Sequence, residues 1–147
     1  MIKHYNKIVN NANRRTRKLG LRSDLTLSEW FDTLRDFSFF CCFCGTHPAS
    51  DLEHFIPVSK GGGTTRKNVL PACRYCNSQK ANLVPFVDEM DDIRFSISRL
   101  RRALDYLEQF GTVEIPGLSD EMAYQLTQNR KFLIPGTATY RKPERAW

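Results

Sequence analysis

Within 37 positions, from Cys41 to Asn77, the chain interleaves two sets of polar side chains. The first set is four thiols in two C-x-x-C pairs, Cys41/Cys44 and Cys73/Cys76. A tight C-x-x-C turn lets two sulfurs converge on one ion, and two such turns suit a closed tetrahedral metal site, with zinc as the usual occupant. The second set is a carboxylate, an imidazole and two amides: Glu53, His54, Asn68 and Asn77. That mixture suits a site that cuts something. Thiol pairs alone would indicate only a structural module, and a lone Glu-His pair would mean almost nothing; the interleaving carries the information.

The two thiol pairs are separated by 28 residues, too long for a simple ribbon, so the intervening segment must itself be folded. Redox use of the pairs is the competing reading, although no thioredoxin-like pattern surrounds them. Cys42, one residue from Cys44, reads as a small buried hydrophobe. His4 and His47 have no supporting pattern and read as solvent-facing.

The elements that must position these residues follow from local signals. Thr26 with Glu29 three residues later is a capping box, and Leu25 can staple onto Trp30. A helix from there places Trp30, Leu34 and Phe37 on one face and leads into the first thiol pair. Leu52 to Val58 reads as a short strand, on which alternation sends Glu53 and His54 to opposite faces unless a bulge intervenes. Residues 60–65 form a Gly-rich loop, Asn68 to Ala72 a second strand, and Cys73 or Arg74 opens a helix to about Leu83, stopped before Pro85. Met90, Ile93, Ile97, Leu100, Leu104, Leu107 and Phe110 recur three or four apart, which predicts an amphipathic packing helix over 88–110, capped by Asp88 and ended by Gly111. Ser119 to about Arg130 reads as one more short helix. The segment to about Arg22 reads as a helix or a loosely ordered arm.

The chain has 147 residues, 41% of them hydrophobic, and a net charge of +6. This bounds it to one compact unit with extensions, small enough to profit from a metal staple. Residues 1–25 carry Lys3, Lys7, Arg14, Arg15, Arg17, Lys18 and Arg22 against Asp24, which is the whole net charge; the remainder is balanced. A basic arm on a neutral body fits a polyanionic partner. No apolar run is long enough for a membrane span or a secretory leader, so a reducing, cytoplasmic setting is expected, with no membrane partner.

The stretch LEHFIPVSKGGGTTRKNVLPACRYCNSQK resembles the HNH endonucleases of the ββα-metal nuclease group. An acidic residue directly before His, the H-x-I-P continuation, the Gly-rich loop, N-V-x-P and C-x-x-C-N-x-x-K occur together and in order over about residues 41–84. Glu53 stands where Asp is more usual, and Asn77 where the family name implies a final His. The resemblance implies a small α+β fold: a ββα-metal core held by a four-cysteine zinc site, with a basic, helical lead-in and C-terminal helices. The expected division is a basic arm over 1–25, a nuclease core over 26–84 and a helical extension packed on it over 85–147.

By the same resemblance, His54 would be the general base, Asn77 would ligate the catalytic divalent ion, and Glu53 would be its acidic ligand or near neighbour. Asn68 would pin the loop and keep His54 correctly turned, and the four cysteines would hold zinc away from the chemistry. Oxygen ligands suit Mg2+ or Mn2+ where thiolates suit zinc, so two metals of different kinds are expected. The partner would be DNA, bound with weak sequence preference, in a bacterial or phage-infected cell. Lys60, Arg66, Lys67, Arg74 and Lys80 near the site, and Arg14, Arg15, Arg17 and Lys18 in the arm, are candidate phosphate contacts. Two other functions share some of these features: a non-catalytic zinc-stabilised nucleic-acid-binding module, and a component of a viral packaging machine.

Overall fold

The computed structural model describes residues 2–88 and 97–133. The element order is α1 (Ile2–Lys18), α2 (Leu27–Asp36), β1 (Asp51–His54), β2 (Val69–Ala72), α3 (Arg74–Lys80), α4 (Ile97–Glu108) and α5 (Asp120–Leu133), with a 3-10 turn at Val58–Lys60 before the Gly-rich loop. This is a small α+β molecule. Among the described residues its only sheet has two antiparallel strands, in the register Asp51↔Ala72, Leu52↔Pro71, Glu53↔Leu70 and His54↔Val69.

The capping box forms as its sequence demands. Thr26 Oγ1 accepts from Glu29 N at 3.1 Å, and Glu29 Oε1 accepts from Thr26 N at 2.9 Å. Leu25 and Trp30 share one apolar cluster with Val9, Leu34 and Val69, so the expected staple is present. Phe37, just beyond α2, is buried in the second and larger cluster, with Phe43, Phe55, Leu70, Leu100, Leu104 and Leu107. Leu100, Leu104 and Leu107 are the buried stripe expected of the long helix. That helix begins at Ile97 within the described residues; the expected positions Met90 and Ile93 lie outside them. The residues between Asp88 and Ile97, and with them the expected cap, lie outside the described residues. The Asp88 carboxylate accepts from Val84 N at 2.8 Å, closing the turn around Pro85.

The first segment is a helix rather than a loose arm. Helix α1 buries Val9, Ala12, Asn13 and Thr16, and Asn13 Nδ2 donates to Leu25 O at 2.9 Å. The first strand is shorter than expected. After His54 the chain turns through Phe55–Pro57 into the 3-10 turn instead of remaining extended to Val58. Helix α3 likewise ends at Lys80, where Ala81 takes a positive φ of 46°.

The two faces of β1 are both covered, and this prepares the site. Asp51 and Glu53 reach α3, at Asn77 and Lys80. Leu52 packs in the cluster that holds Val9 of α1, and His54 reaches the loop residue Thr64, which is bonded to α1.

Candidate functional site

Two centres lie at opposite ends of α3. At its N-terminus, the Sγ atoms of Cys41, Cys44, Cys73 and Cys76 lie within 4.8 Å of one another. No disulfide joins them. Cys73 caps the helix, with its Sγ accepting from Cys76 N at 3.4 Å; in the other turn Cys41 Sγ accepts from Phe43 N at 3.4 Å. Tetrahedral zinc with Zn–S near 2.3 Å needs sulfurs about 3.8 Å apart, and Cys44 and Cys73 stand at 3.9 Å. The four cysteines are therefore arranged to hold a metal ion.

Three of these thiols differ in acidity. Burial pushes the Cys41 thiol up to about 11 and drives Cys76 up as well. Burial also works against ionising Cys44, yet hydrogen bonds from Thr46 and His47 bring it down to about 5. His47, exposed as expected, has its Nδ1 3.5 Å from Cys44 Sγ, so it abuts the thiol cluster rather than standing clear in solvent. Cys42 is fully buried and stands outside the cluster, as a hydrophobe would.

The second centre is a cleft of about 180 Å³ on the other side of the sheet edge, lined by residues that include Arg15, Glu53, His54, Asn77 and Asn82. Strand alternation holds, since Glu53 leans to α3 and His54 to the loop. Both still line one cleft because it opens at the end of β1. Asn77 enters from α3, and its Nδ2 donates to Asp51 Oδ2 at 2.9 Å. That bond fixes the amide so that Oδ1 is turned away from Asp51. Asp51 is a residue that motif reading missed, although it stands two before Glu53 and so on the same strand face.

Glu53 and His54 are each only 6% exposed. Burial pushes the Glu53 carboxyl up to about 7, while the Lys80 ammonium pulls it down. Burial pulls the His54 imidazole down to about 4, with Arg15 and Lys80 adding to the effect. The ring is therefore neutral across the physiological range. Its Nε2 lies 2.9 Å from Thr64 Oγ1.

Asn68 does what a pin must do. Its Oδ1 accepts from Ile56 N at 2.8 Å, and its Nδ2 donates to Ile56 O at 3.1 Å and Gly63 O at 2.9 Å. The side chain thus ties the segment after His54 to the Gly-rich loop. A Cβ on Gly62 would come within 1.8 Å of Ile56 O and 2.8 Å of Asn68 Nδ2, so glycine is needed there for the loop to close.

The candidate phosphate contacts divide sharply. Arg14, Arg15, Arg17, Lys18, Lys60 and Arg74 are exposed. Arg66 lies over the Phe110 ring at 4.0 Å with Asp36 at 3.9 Å, and Lys67 Nζ donates to Thr112 O, so both are partly engaged in packing. Lys80 departs from the expectation altogether. It is 0% exposed, and its Nζ donates to His54 O at 2.9 Å and to Glu53 Oε1 at 3.3 Å. A buried ammonium held this way cannot reach a phosphate; it fastens the strand carrying Glu53 and His54 to α3. A larger cleft, about 650 Å³, is lined by Arg22, Lys60, Lys67 and the Gly-rich loop but contains neither His54 nor Asn77.

Among the described residues, no helix is long and apolar enough to cross a membrane. Residues 41–89 match the family model for HNH endonuclease, a span that contains the thiol cluster and every residue lining the His54–Asn77 cleft except Arg15. Neither a curated protein nor a solved structure matches the chain.

Proposed function

We propose, with residues 41–89 as an HNH endonuclease unit, that this protein is a metal-dependent endonuclease that hydrolyses phosphodiester bonds in DNA. The observation that carries the reading is the shared cleft: His54 from a strand end and Asn77 from α3 line one small volume together with Glu53 and Arg15. Hydrolysis needs a proton acceptor for the attacking water and cationic relief for the phosphoryl oxygens and the leaving 3′-oxygen.

His54 supplies the first. A neutral imidazole accepts the water proton as the water oxygen bonds to phosphorus and the 3′-oxygen departs. Asn77 Oδ1 and Glu53 supply hard oxygen donors, which fit Mg2+ or Mn2+ and leave room for a phosphate. Such an ion, when bound, contributes positive charge at the scissile phosphate. Asp51 holds the Asn77 amide with its oxygen free, and Lys80 keeps Glu53 from swinging away. Arg15, exposed at the cleft, is placed to orient the phosphate. The four cysteines hold zinc as a fastening for α3 and the Cys41–Cys44 turn, remote from the proton transfer.

Arg14, Arg17, Lys18, Lys60 and Arg74 provide backbone contacts that carry no base information, so binding has weak sequence preference and steep salt dependence. Nicking of supercoiled plasmid in Mg2+ tests the reading. The wild type is expected to nick and His54→Ala to lose about 10²- to 10⁴-fold in rate, the usual contribution of a positioned base. Equal cutting by both overturns the mechanism, and DNA binding without cutting by either assigns the fold to a non-catalytic binding module.

A further inference from the structure

The segment 56–60 has a cleft on each side. Pro57 and Val58 line the small one that holds His54 and Asn77, whereas Ile56 and Lys60 line the larger one, of about 650 Å³. That volume lies within the range of small-molecule clefts, about 300–1,000 Å³. Apart from Ile56, the apolar side chains of the larger cleft come from outside residues 41–89. Leu21 belongs to the link between α1 and α2, and Val113, Ile115 and Pro116 follow α4. The cleft is therefore made by what this chain adds around the matched span, and not by that span alone.

Its polar groups are few and specific. Thr65 lines the cleft and is only 5% exposed, yet its hydroxyl has no hydrogen-bond partner among the described residues. A buried hydroxyl without a partner is uncommon, and one at a cleft wall can give and take a hydrogen bond with a ligand. The charges at the cleft are Arg22, Lys60 and Lys67 against Glu114. Arg22 is paired with Asp24 at 2.8 Å and Lys67 donates to Thr112 O at 3.1 Å, whereas Lys60 is exposed and makes no hydrogen bond or ion pair among the described residues. Apolar walls, one free hydroxyl and a cationic rim suit a ligand with an apolar body, polar edges and a negative charge. A nucleotide is such a ligand. A base inside a duplex has its faces covered by its neighbours, so only an unpaired one can enter.

We propose that the larger cleft receives an unpaired nucleotide of the DNA beside the cut site, with its base against Leu21 and Ile115, its edge at Thr65 and its phosphate at Lys60. The favoured substrate is then DNA with an unpaired nucleotide next to the scissile bond. Apolar walls accept any base, so this selects DNA by structure and not by sequence. The proposal rests on the endonuclease reading for the identity of the ligand as DNA; the binding preference itself is read without cutting.

Fluorescence anisotropy with the whole chain and no added Mg2+ tests it. Three short labelled duplexes are compared: fully paired, with one unpaired adenine, and with one unpaired abasic residue, which is as flexible but has no base. The wild type is expected to bind the unpaired adenine about tenfold or more tightly than the other two, because the cost of extracting a base is already met there. Leu21→Glu, which sets a carboxylate in the apolar wall, and Thr65→Ala, which removes a hydroxyl that bonds nothing in the fold, are each expected to bring that ratio toward one. Thr65→Ala carries the test if Leu21→Glu does not fold. Equal binding of all three duplexes by the wild type overturns the proposal. So does an equal preference for the abasic residue, or a ratio that survives in a folded variant. A preference for the unpaired adenine in a protein that cuts no DNA in Mg2+ supports the cleft and counts against the endonuclease reading. Cutting without any preference overturns the cleft alone.

Discussion

At the scale of single residues, burial decides how His54 behaves. A solvent-exposed histidine base would lose activity near its ordinary pKa of about 6.5. Burial lowers the His54 value to about 4, so the ring stays neutral well below pH 6. We predict that the loss of kcat attributable to His54 centres near pH 4, read alongside the titration of its ring protons. A midpoint near 6.5 in both would contradict the burial argument. The same shift bears on stability. A depressed histidine pKa means the unfolded chain binds the proton more readily, so the stabilisation is full above about 6.5 and declines as pH falls toward 4. Asp51 offers a separate test. Asp51→Ala frees the Asn77 amide to rotate and is expected to raise the Mg2+ requirement for nicking by about 10- to 100-fold, as loss of a partner behind a metal ligand does. An unchanged Mg2+ titration would show that Asn77 needs no such partner. Lys80→Ala leaves the buried Glu53 carboxylate uncompensated and is expected to cost about 3–5 kcal/mol in urea unfolding. A change near zero would mean that the pair is not ionised in the fold.

At the scale of elements, zinc held by the four cysteines at one end of α3 would fasten the helix that carries Asn77 to the cleft at the other. Helix α3 has seven residues, too few to stand alone in water. Cys73→Ser is therefore expected to release zinc and melt the unit, since structural zinc supplies folding free energy of order 10 kcal/mol; metal content per chain and thermal melting by circular dichroism read it. Full zinc retention with unchanged melting would contradict it. What is legible in the sequence is local. The capping box at Thr26 and Glu29, the short strands and the thiol turns each lie within a few residues, and local signals survive folding. The role of Lys80 is hidden because a lysine three after Asn77 resembles any solvated helix position, and only strand pairing puts Glu53 beneath it. Thr64 reads as one more loop residue, since its meaning comes from Ala12, 52 positions away. Helix α1 gives little warning that it packs, because its buried face mixes Val9 and Ala12 with Asn13 and Thr16.

At the scale of the whole molecule, the charge asymmetry becomes geometry. Helix α1 turns its polar–apolar face inward, brings Arg15 to the cleft, and leaves Arg14, Arg17 and Lys18 exposed. Replacing those three with Ala is expected to weaken binding to all duplexes alike and to flatten the dependence of log affinity on log salt by about 0.9 for each phosphate no longer neutralised. A weakening confined to one sequence would assign them to base reading. Helix α4 closes the opposite side, burying Leu100, Leu104 and Leu107 with Phe43 of the thiol turn, and Arg99 donates to Phe43 O at 2.8 Å. The frame is thus gripped by helices that precede it and follow it in the chain.

The most direct measurement is a crystal structure of His54→Ala with a short duplex and Mn2+, located by anomalous scattering. The prediction is one Mn2+ in the cleft bound by Asn77 Oδ1 and Glu53, with a backbone phosphate between it and the space left by the imidazole. A phosphate backbone that crosses the protein elsewhere, with no Mn2+ beside Asn77, would contradict it.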